Sequence, residues 1–402
     1  MSAAAPPDVF SPAKLGPLTL RNRVLKAATF EGVTPDALVT DALIDFHRRH
    51  AAGGVGMTTV AYCAVAPEGR TERRQLWMRK DALPGLKALT DAVHAEGAAI
   101  SAQLGHAGPV ADALSNGLPA LAPSRRLSPL TFRFIQPCTP EDIARVTQAY
   151  ADAAALAVEA GFDALELHFG HTYLLCAFLS PKMNKRRDAY GGSLENRARF
   201  ARDVARAVRD RVGHRVAVLA KVELDEGVKG GVTVEEAVTF AQWLETDGTL
   251  DALELTAGSS FLNPMFLFRG EVPLAEFAAQ FSQPLKLGLR LFGRQFLKAY
   301  PYEEAYLLPL ARQVRAKVKL PLVLLGGISS KATMDRAMAE GFDFVAMGRA
   351  LLREPDLLTR LQQDAATPSQ CTHCNKCMPT IYTGTRCALV QPDPPAPPRP
   401  VP

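Results

Sequence analysis

His168, His171 and Tyr173 fall within six positions and form the densest chemical signal in this chain of 402 residues. They follow Ala164-Leu165-Glu166-Leu167, which has the pattern of a buried strand. A regular strand sends alternate residues to opposite faces, so residues three apart share a face only if the strand ends and the chain turns. Two imidazoles and a phenol gathered at such an edge could hold a carbonyl oxygen and deliver a proton beside it. A phenol of ordinary pKa, about 10, stays protonated at neutral pH. Each residue also has a plainer reading. A histidine beside a strand is often a hydrogen-bonded structural group, and Tyr173 could pack on Leu174 and Phe178. A metal is a further use for His-x-x-His, but Glu166 precedes the pair instead of standing as it does in zinc proteases.

Two other places carry chemistry. Gly326-Gly327 and Gly348-Arg349 each follow an apolar run in the last third of the chain. Glycine lets backbone amides approach an anion and Arg349 offers a forked charge, so the two loops together predict a phosphate site. Cys371, Cys374, Cys377 and Cys387 read C-x2-C-x2-C-x9-C. Four thiolates at that spacing suit a [4Fe–4S] cluster or tetrahedral zinc. Reduced thiols without a ligand are the alternative. Cys63, Cys138 and Cys176 read as interior residues.

The elements that must position these groups are short apolar runs alternating with helical segments. The runs are Arg23 to Ala28, Met57 to Ala64, Ala98 to Leu104, Ala164 to His168, Val216 to Val222, Ala252 to Thr256, Leu322 to Leu325, and Phe344 to Met347. Eight of them predict an α/β fold, a closed (β/α)8 TIM barrel, whose functional groups collect at the carboxyl ends of the strands and whose phosphate sites lie after strands seven and eight. A helix after Gly191-Gly192, capped by Ser193, shows the intervening type. Its stripe is Leu194, Ala198, Ala201, Ala205 and Val208, with Arg197, Arg202, Asp203 and Arg209 read as a solvated face. The stretch 261–312 is long for a connection. Its segment LKLGLRLFGRQFLKAY, with Leu287, Leu291 and Phe292 among its apolar positions, reads as a packed excursion over one mouth, with a substrate lid or partner surface as the alternative. The expected organisation is a barrel over 8–361, a Cys-rich extension over 368–391 and a disordered proline-rich tail over 392–402.

Composition narrows the function classes. With 48% hydrophobic residues the chain can bury one large core. Its 46 basic and 41 acidic residues leave a small positive balance without a dense basic run, which speaks against nucleic-acid binding. No apolar run is long enough to span a bilayer, and MSAAAPPDVF lacks the pattern of a signal peptide. Seven cysteines, four crowded near one end, fit a reducing cytoplasm better than a disulfide framework.

The residues Leu179-Ser180-Pro181, Asn184, Arg186, Asp188, Tyr190-Gly191-Gly192-Ser193, Glu195-Asn196-Arg197 and Arg199-Phe200, following His168, His171 and Tyr173, closely resemble the old yellow enzyme family of flavin-dependent ene-reductases. The resemblance runs from about Phe10 to Leu361. It implies that the phosphate at Gly326, Gly327, Gly348 and Arg349 belongs to FMN. It also implies that Gln103 meets the pyrimidine edge of the flavin. Lys221, where most relatives have arginine, would stand by flavin N1, and Ala28 and Thr29 would lie along the ring. Phe30 occupies the place of a family Thr or Cys. His168 and His171 would bind the substrate oxygen, and Tyr173 would donate the proton. The four C-terminal cysteines resemble the cluster-binding stretch of the 2,4-dienoyl-CoA reductase and trimethylamine dehydrogenase branch, with a shorter final spacing.

The expected activity is therefore reduction of activated C=C bonds, of the α,β-unsaturated carbonyl class, with NAD(P)H as donor and a small-molecule substrate. A second reading is an FMN/iron–sulfur subunit that exchanges electrons with a protein partner. A third, from another class, is a zinc-stabilised binding protein without catalysis. Neither NADH against NADPH nor a homo-oligomer against a monomer has a marker in the sequence.

Overall fold

Along Ala217–Glu223 the side chains divide strictly by parity. Val218, Ala220 and Val222 pack outward among helices, whereas Ala217 and Leu219 belong to a separate inner cluster. The same alternation holds in Ala164–Phe169 and Ala252–Thr256. Strands apolar on both faces require cover on both sides, and a closed parallel barrel supplies it. The computed structural model describes residues 5–128, 131–281, 283 and 285–391.

The barrel strands are β1 (Val24–Lys26), β2 (Met57–Ala64), β3 (Ala99–Gly105), β4 (Ala164–Phe169), β5 (Ala217–Glu223), β6 (Ala252–Thr256), β7 (Leu322–Leu324) and β8 (Phe344–Met347). They close in sequence order, each parallel to the next, with β8 against β1. The fold is the expected (β/α)8 barrel. Inside it, Leu25, Met57, Ala164, Ala217, Leu219, Ala252, Val323 and Phe344 fill one end, plugged by Leu15 and Leu20 of the hairpin Ala13–Leu15 and Leu18–Leu20. Two residues further along, the inward positions turn polar: Gln103, Glu166, Lys221 and Glu254, all buried. Two further still come His168, Glu223 and Thr256 at the carboxyl mouth.

The helix Leu194–Val212 begins as expected, with Ser193 accepting from the Asn196 amide. Its arginines correct the sequence reading. Arg197 and Arg209 are buried, not solvated. Arg197 bonds the Leu179 carbonyl and pairs with Glu236 at 2.6 Å, and Arg209 donates to the Thr249 carbonyl and pairs with Asp251 at 2.7 Å. Burial of a guanidinium is tolerated when carbonyls and carboxylates meet its fork.

The excursion between β6 and β7 holds the helices Leu274–Ala279 and Leu285–Phe296. Leu287, Leu291 and Phe292 are exposed, so the apolar face inferred from the sequence is not the packed one. Packing instead runs through Met265, Leu297 and Met378, with Phe268, Leu274 and Phe277 around them. Met378 comes from the Cys-rich extension. Asn375 donates to the Phe268 and Glu271 carbonyls at 2.7 and 2.8 Å, and Lys376 pairs with Glu276. The excursion and the extension, remote in sequence, thus fold as one roof. Thr385 ties that roof to the loop after β1, through its amide to the Glu31 carbonyl at 2.7 Å and its hydroxyl to the Phe30 carbonyl. A small sheet of Leu121–Ala122, Arg126–Leu127 and Phe134–Pro137 lies beside the mouth, where Ala122, Ile135, Tyr62, Met183 and Phe261 share a cluster against Tyr173. Among the described residues no helix is long and apolar enough to cross a membrane. The tail expected over 392–402 lies outside the described residues.

Candidate active site

β4 ends at Phe169, and the turn that follows solves the face problem set by the three-residue spacing. His171 and Thr172 are both left-handed, at φ 59° and 61°, a conformation costly for residues with a Cβ. Buried carboxyls clamp the turn. Glu223 accepts the His171 amide at 2.6 Å, and Glu226 accepts the hydroxyls of Thr172 at 2.8 Å and Ser180 at 2.5 Å. As a result the rings of His168 and His171 meet, with centroids 5.0 Å apart, and Tyr173 lies 4.6 Å from His168.

The hydrogen-bond network assigns the imidazole protons. His168 Nδ1 accepts from the Gly170 amide at 3.2 Å, which leaves its proton on Nε2, and that atom lies 3.3 Å from His171 Nδ1. His171 Nε2 lies 2.8 Å from Thr256 Oγ1. Burial, with His171 and Lys221 nearby, pushes the His168 pKa well down, and burial with Lys221 lowers that of His171 to about 3. Both rings are therefore neutral N–H donors at physiological pH. Burial pushes the Tyr173 phenol up to about 12, which keeps its proton in place.

Below them Lys221 pairs with Glu254 and with Glu166 at 3.2 Å. Gln103 Nε2 donates to Glu166 at 2.5 Å. Burial opposes the lysine's charge, but the two acidic neighbours outweigh it and hold the Lys221 pKa above its ordinary value. Burial and Glu254 raise that of Glu166.

A cavity of about 270 Å³ opens over this layer. His168, His171 and Tyr173 line it. So do Ala28, Thr29, Gln103, Lys221, Gly326, Gly327, Gly348 and Arg349, so every residue proposed from the sequence to touch flavin or substrate faces one space. Gly326 and Gly327 have φ of 98° and 76°, and a Cβ at Gly327 would stand 2.6 Å from the Glu303 carbonyl oxygen. The backbone there must be glycine, and its amides remain open to an anion. Arg349 commits Nη1 to the Arg269 carbonyl at 2.8 Å and to Asn375, which fixes the rest of its fork beside the cavity. Thr29 uses its hydroxyl on the protein: Oγ1 accepts from Lys26 Nζ at 2.8 Å and donates to the Ala27 carbonyl at 3.1 Å. Phe30 lines the cavity as well.

A family model described as NADH:flavin oxidoreductase / NADH oxidase matches residues 8–255. The chain belongs to that family. It is an NAD(P)H-dependent flavin oxidoreductase, and the glycine cradle and polar layer fit FMN as its cofactor. The 4,4'-dithiodibutanoate disulfide reductase of Rhodococcus erythropolis is 53% identical to it over 97% of this chain and 96% of that one. Among solved structures, a 2-naphthoyl-CoA reductase superposes with a TM-score of 0.82 at 26% identity, over 96% of this chain and 57% of that one. The old yellow enzyme homologue of Zymomonas mobilis gives 0.72 at 25% identity, over 90% and 94%.

The four C-terminal cysteines line a second void of about 20 Å³ adjoining the flavin cavity; Arg349, His373 and Cys377 border both. Burial raises the pKa of Cys371, and that of Cys377 to about 12. Among the described residues no three Cys, His, Asp or Glu side chains are arranged around a single metal ion. That holds for His168 and His171 too.

Several site residues were not anticipated. Glu223 and Thr256 stand at inward positions at the carboxyl ends of β5 and β6, and strand parity alone could have nominated them. Tyr302, Tyr306, Met378, Ile381 and Thr385 reach the cavity from the excursion and the extension. The sequence placed the excursion over one mouth and likened the extension to a cluster-binding stretch, but singled out none of these five residues.

Proposed function

We propose that the protein reduces small electrophiles whose breaking bond ends in an atom that takes up negative charge, with an activated C=C conjugated to a carbonyl as the first substrate class. When bound, FMN would supply the hydride-transfer chemistry between NAD(P)H and the electrophile. The chain's own residues supply the rest. His168 Nε2–H, with His171 beside it, binds the carbonyl oxygen and stabilises enolate charge. Tyr173, held protonated, donates to the α-carbon. Lys221 would stand where negative charge gathers at the pyrimidine end of the reduced flavin, restrained by Glu166 and Glu254. The observation that carries this reading is the convergence of two neutral imidazoles and a high-pKa phenol on the cavity that also holds the glycine cradle.

The similarity to a disulfide reductase over nearly the full length of both chains favours a second reading. Here the acceptor is a dialkyl disulfide. Hydride adds to one sulfur, the S–S bond breaks, and the departing thiolate takes the Tyr173 proton, giving two thiols. The same donors serve both reactions. The spacing of the C-terminal cysteines suits an iron–sulfur cluster or a zinc ion, and the cluster is the reading to be tested. Cys371, Cys374, Cys377 and Cys387 would hold it beside the flavin, where it could exchange electrons with an external partner.

The test is an anaerobic double-mixing experiment: bleach the flavin with NADH or NADPH, then add cyclohexenone or 4,4'-dithiodibutanoate. Reoxidation by the enone supports the first reading, and by the disulfide alone the second. A reduced flavin indifferent to both would show that the acceptor site has been misread.

A further inference from the structure

Arg126 is half-buried beside the mouth of the cavity, and its position is hard to explain by structure alone. It extends from the short strand Arg126–Leu127, and its guanidinium carbon lies 5.8 Å from the centre of the Phe261 ring. Phe261 follows Ser260, which lines the cavity and whose amide donates to the His171 carbonyl at 3.1 Å. The Arg126 fork also meets the thioether of Met183, a weak acceptor. Met183, Phe261 and Tyr62 belong to the cluster that packs on Tyr173. Arg126 therefore stands behind the cluster on which the proton donor packs, beside the cavity and not among its lining residues.

What it lacks is a counter-ion. Among the described residues no carboxylate forms an ion pair with Arg126. Glu226 acts on it through space, but both Glu226 oxygens are already occupied, by Thr172 on one side and by Ser180 and the Val232 amide on the other. The contrast with Arg197 and Arg209 is direct, since each of those has a carboxylate and carbonyls on its fork. A guanidinium partly withdrawn from water and set on an aromatic wall without an acid is arranged to receive one.

We propose that Arg126 anchors a carboxylate of the substrate, so that the physiological acceptor is an acid whose reducible bond lies a short aliphatic chain away from its carboxylate. Tyr62 lines the cavity, so the chain would run past it toward the half-buried fork, which would fix its far end. This rests on the reductase reading above and adds to it the chemical class of the substrate: a carboxylated disulfide or alkene, not a neutral one.

The experiment compares 4,4'-dithiodibutanoate with its dimethyl ester in wild type, Arg126→Met and Arg126→Lys, with FMN content and melting temperature as folding controls. A charge-assisted hydrogen bond of this kind corresponds to a change of about 10- to 100-fold in affinity. The KM for the diacid should rise by that order in Arg126→Met with kcat little changed. It should recover in part in Arg126→Lys, while the ester's KM stays the same in all three. An unchanged diacid KM, or an equal rise for the ester, would overturn the proposal. If wild type reduces neither compound, the disulfide reading has failed, but Arg126 remains testable. Butanoate should then perturb the flavin spectrum of wild type at concentrations about tenfold lower than those needed in Arg126→Met, and no difference between them would sink the anchor.

Discussion

His171 Nε2 and Thr256 Oγ1 lie 2.8 Å apart across the mouth of the barrel, joining the turn after β4 to the end of β6. Because His168 carries its proton on Nε2, facing His171 Nδ1 at 3.3 Å, the pair is satisfied without ligand only if His171 accepts there and donates to Thr256. A substrate oxygen placed between the rings asks for two donors. His171 can supply the second if its proton moves to Nδ1, and a hydroxyl at Thr256 permits this because it can turn from acceptor to donor. Thr256 is then a positioning residue that lets one imidazole serve two states.

Thr256→Val should remove that exchange while preserving shape. The loss of one hydrogen bond in the bound state predicts about a three- to tenfold weaker binding of an enone, with Thr256→Ser close to wild type. Nitrogen NMR of His171 gives a readout apart from turnover: wild type should change tautomer on binding, and the valine variant should not. Identical His171 spectra in all three proteins would refute the role.

Tyr173→Phe keeps the ring that packs on His168 and Tyr62, at 4.6 and 5.2 Å, and removes only the proton. A positioned general acid contributes about 10²- to 10⁴-fold. Flavin reduction by NAD(P)H should proceed at the wild-type rate, whereas reoxidation by cyclohexenone should slow by that order. Rapid-mixing traces of the two half-reactions separate these outcomes, and an unaffected reoxidation would move the proton donor elsewhere.

The barrel was legible because its strands are buried on both faces and read as uninterrupted apolar runs bounded by helical periodicity. Met57–Ala64, Ala252–Thr256 and Phe344–Met347 have the predicted limits. β1 is shorter than expected because the chain leaves the ladder after Lys26 to line the cavity with Ala27 and Ala28. The placing of His168, His171 and Tyr173 in one cavity was legible only as a condition, that the chain turn after the strand. The left-handed pair and the Glu223 and Glu226 clamps that enforce the turn carry no local signature, since their partners lie about fifty residues on. The burial of Arg197 and the roof joined through Asn375 were hidden for the same reason: side chains chosen by partners remote in sequence look like ordinary surface residues.

The depressed histidines give stability a pH dependence whose sign is fixed. His171 is neutral in the fold down to about pH 3. The unfolded chain protonates it near its ordinary value of about 6.5. Between those values the unfolded state binds the extra proton, so His171 costs stability as the pH falls through that window, by up to about 1.4 kcal/mol per pH unit. Buried Glu31 and Glu166, whose pKa values are raised, act in the opposite sense as the pH rises. The contribution of His171 is isolated by difference. Denaturant midpoints of His171→Asn should fall less steeply than wild type between pH 6.5 and 3, and parallel curves would mean that the ring is not held neutral.

The cysteine void supplies the last prediction. Cys371, Cys374, Cys377 and Cys387 open onto one space bordered by Arg353, whose Nη1 lies 3.8 Å from Cys387 Sγ. An arginine donating to a ligand sulfur stabilises negative charge on a thiolate-held cluster. Without a cation, burial leaves Cys377 a thiol, so occupancy should depend on all four sulfurs acting together. Protein purified without oxygen should contain about four iron atoms per chain. Cys374→Ser should lose most of that iron yet keep its FMN, because Cys374, unlike Cys377, does not line the flavin cavity. Zinc in place of iron, at one per chain and lost in the same variant, would assign the site to a structural ion and remove the electron-transfer route.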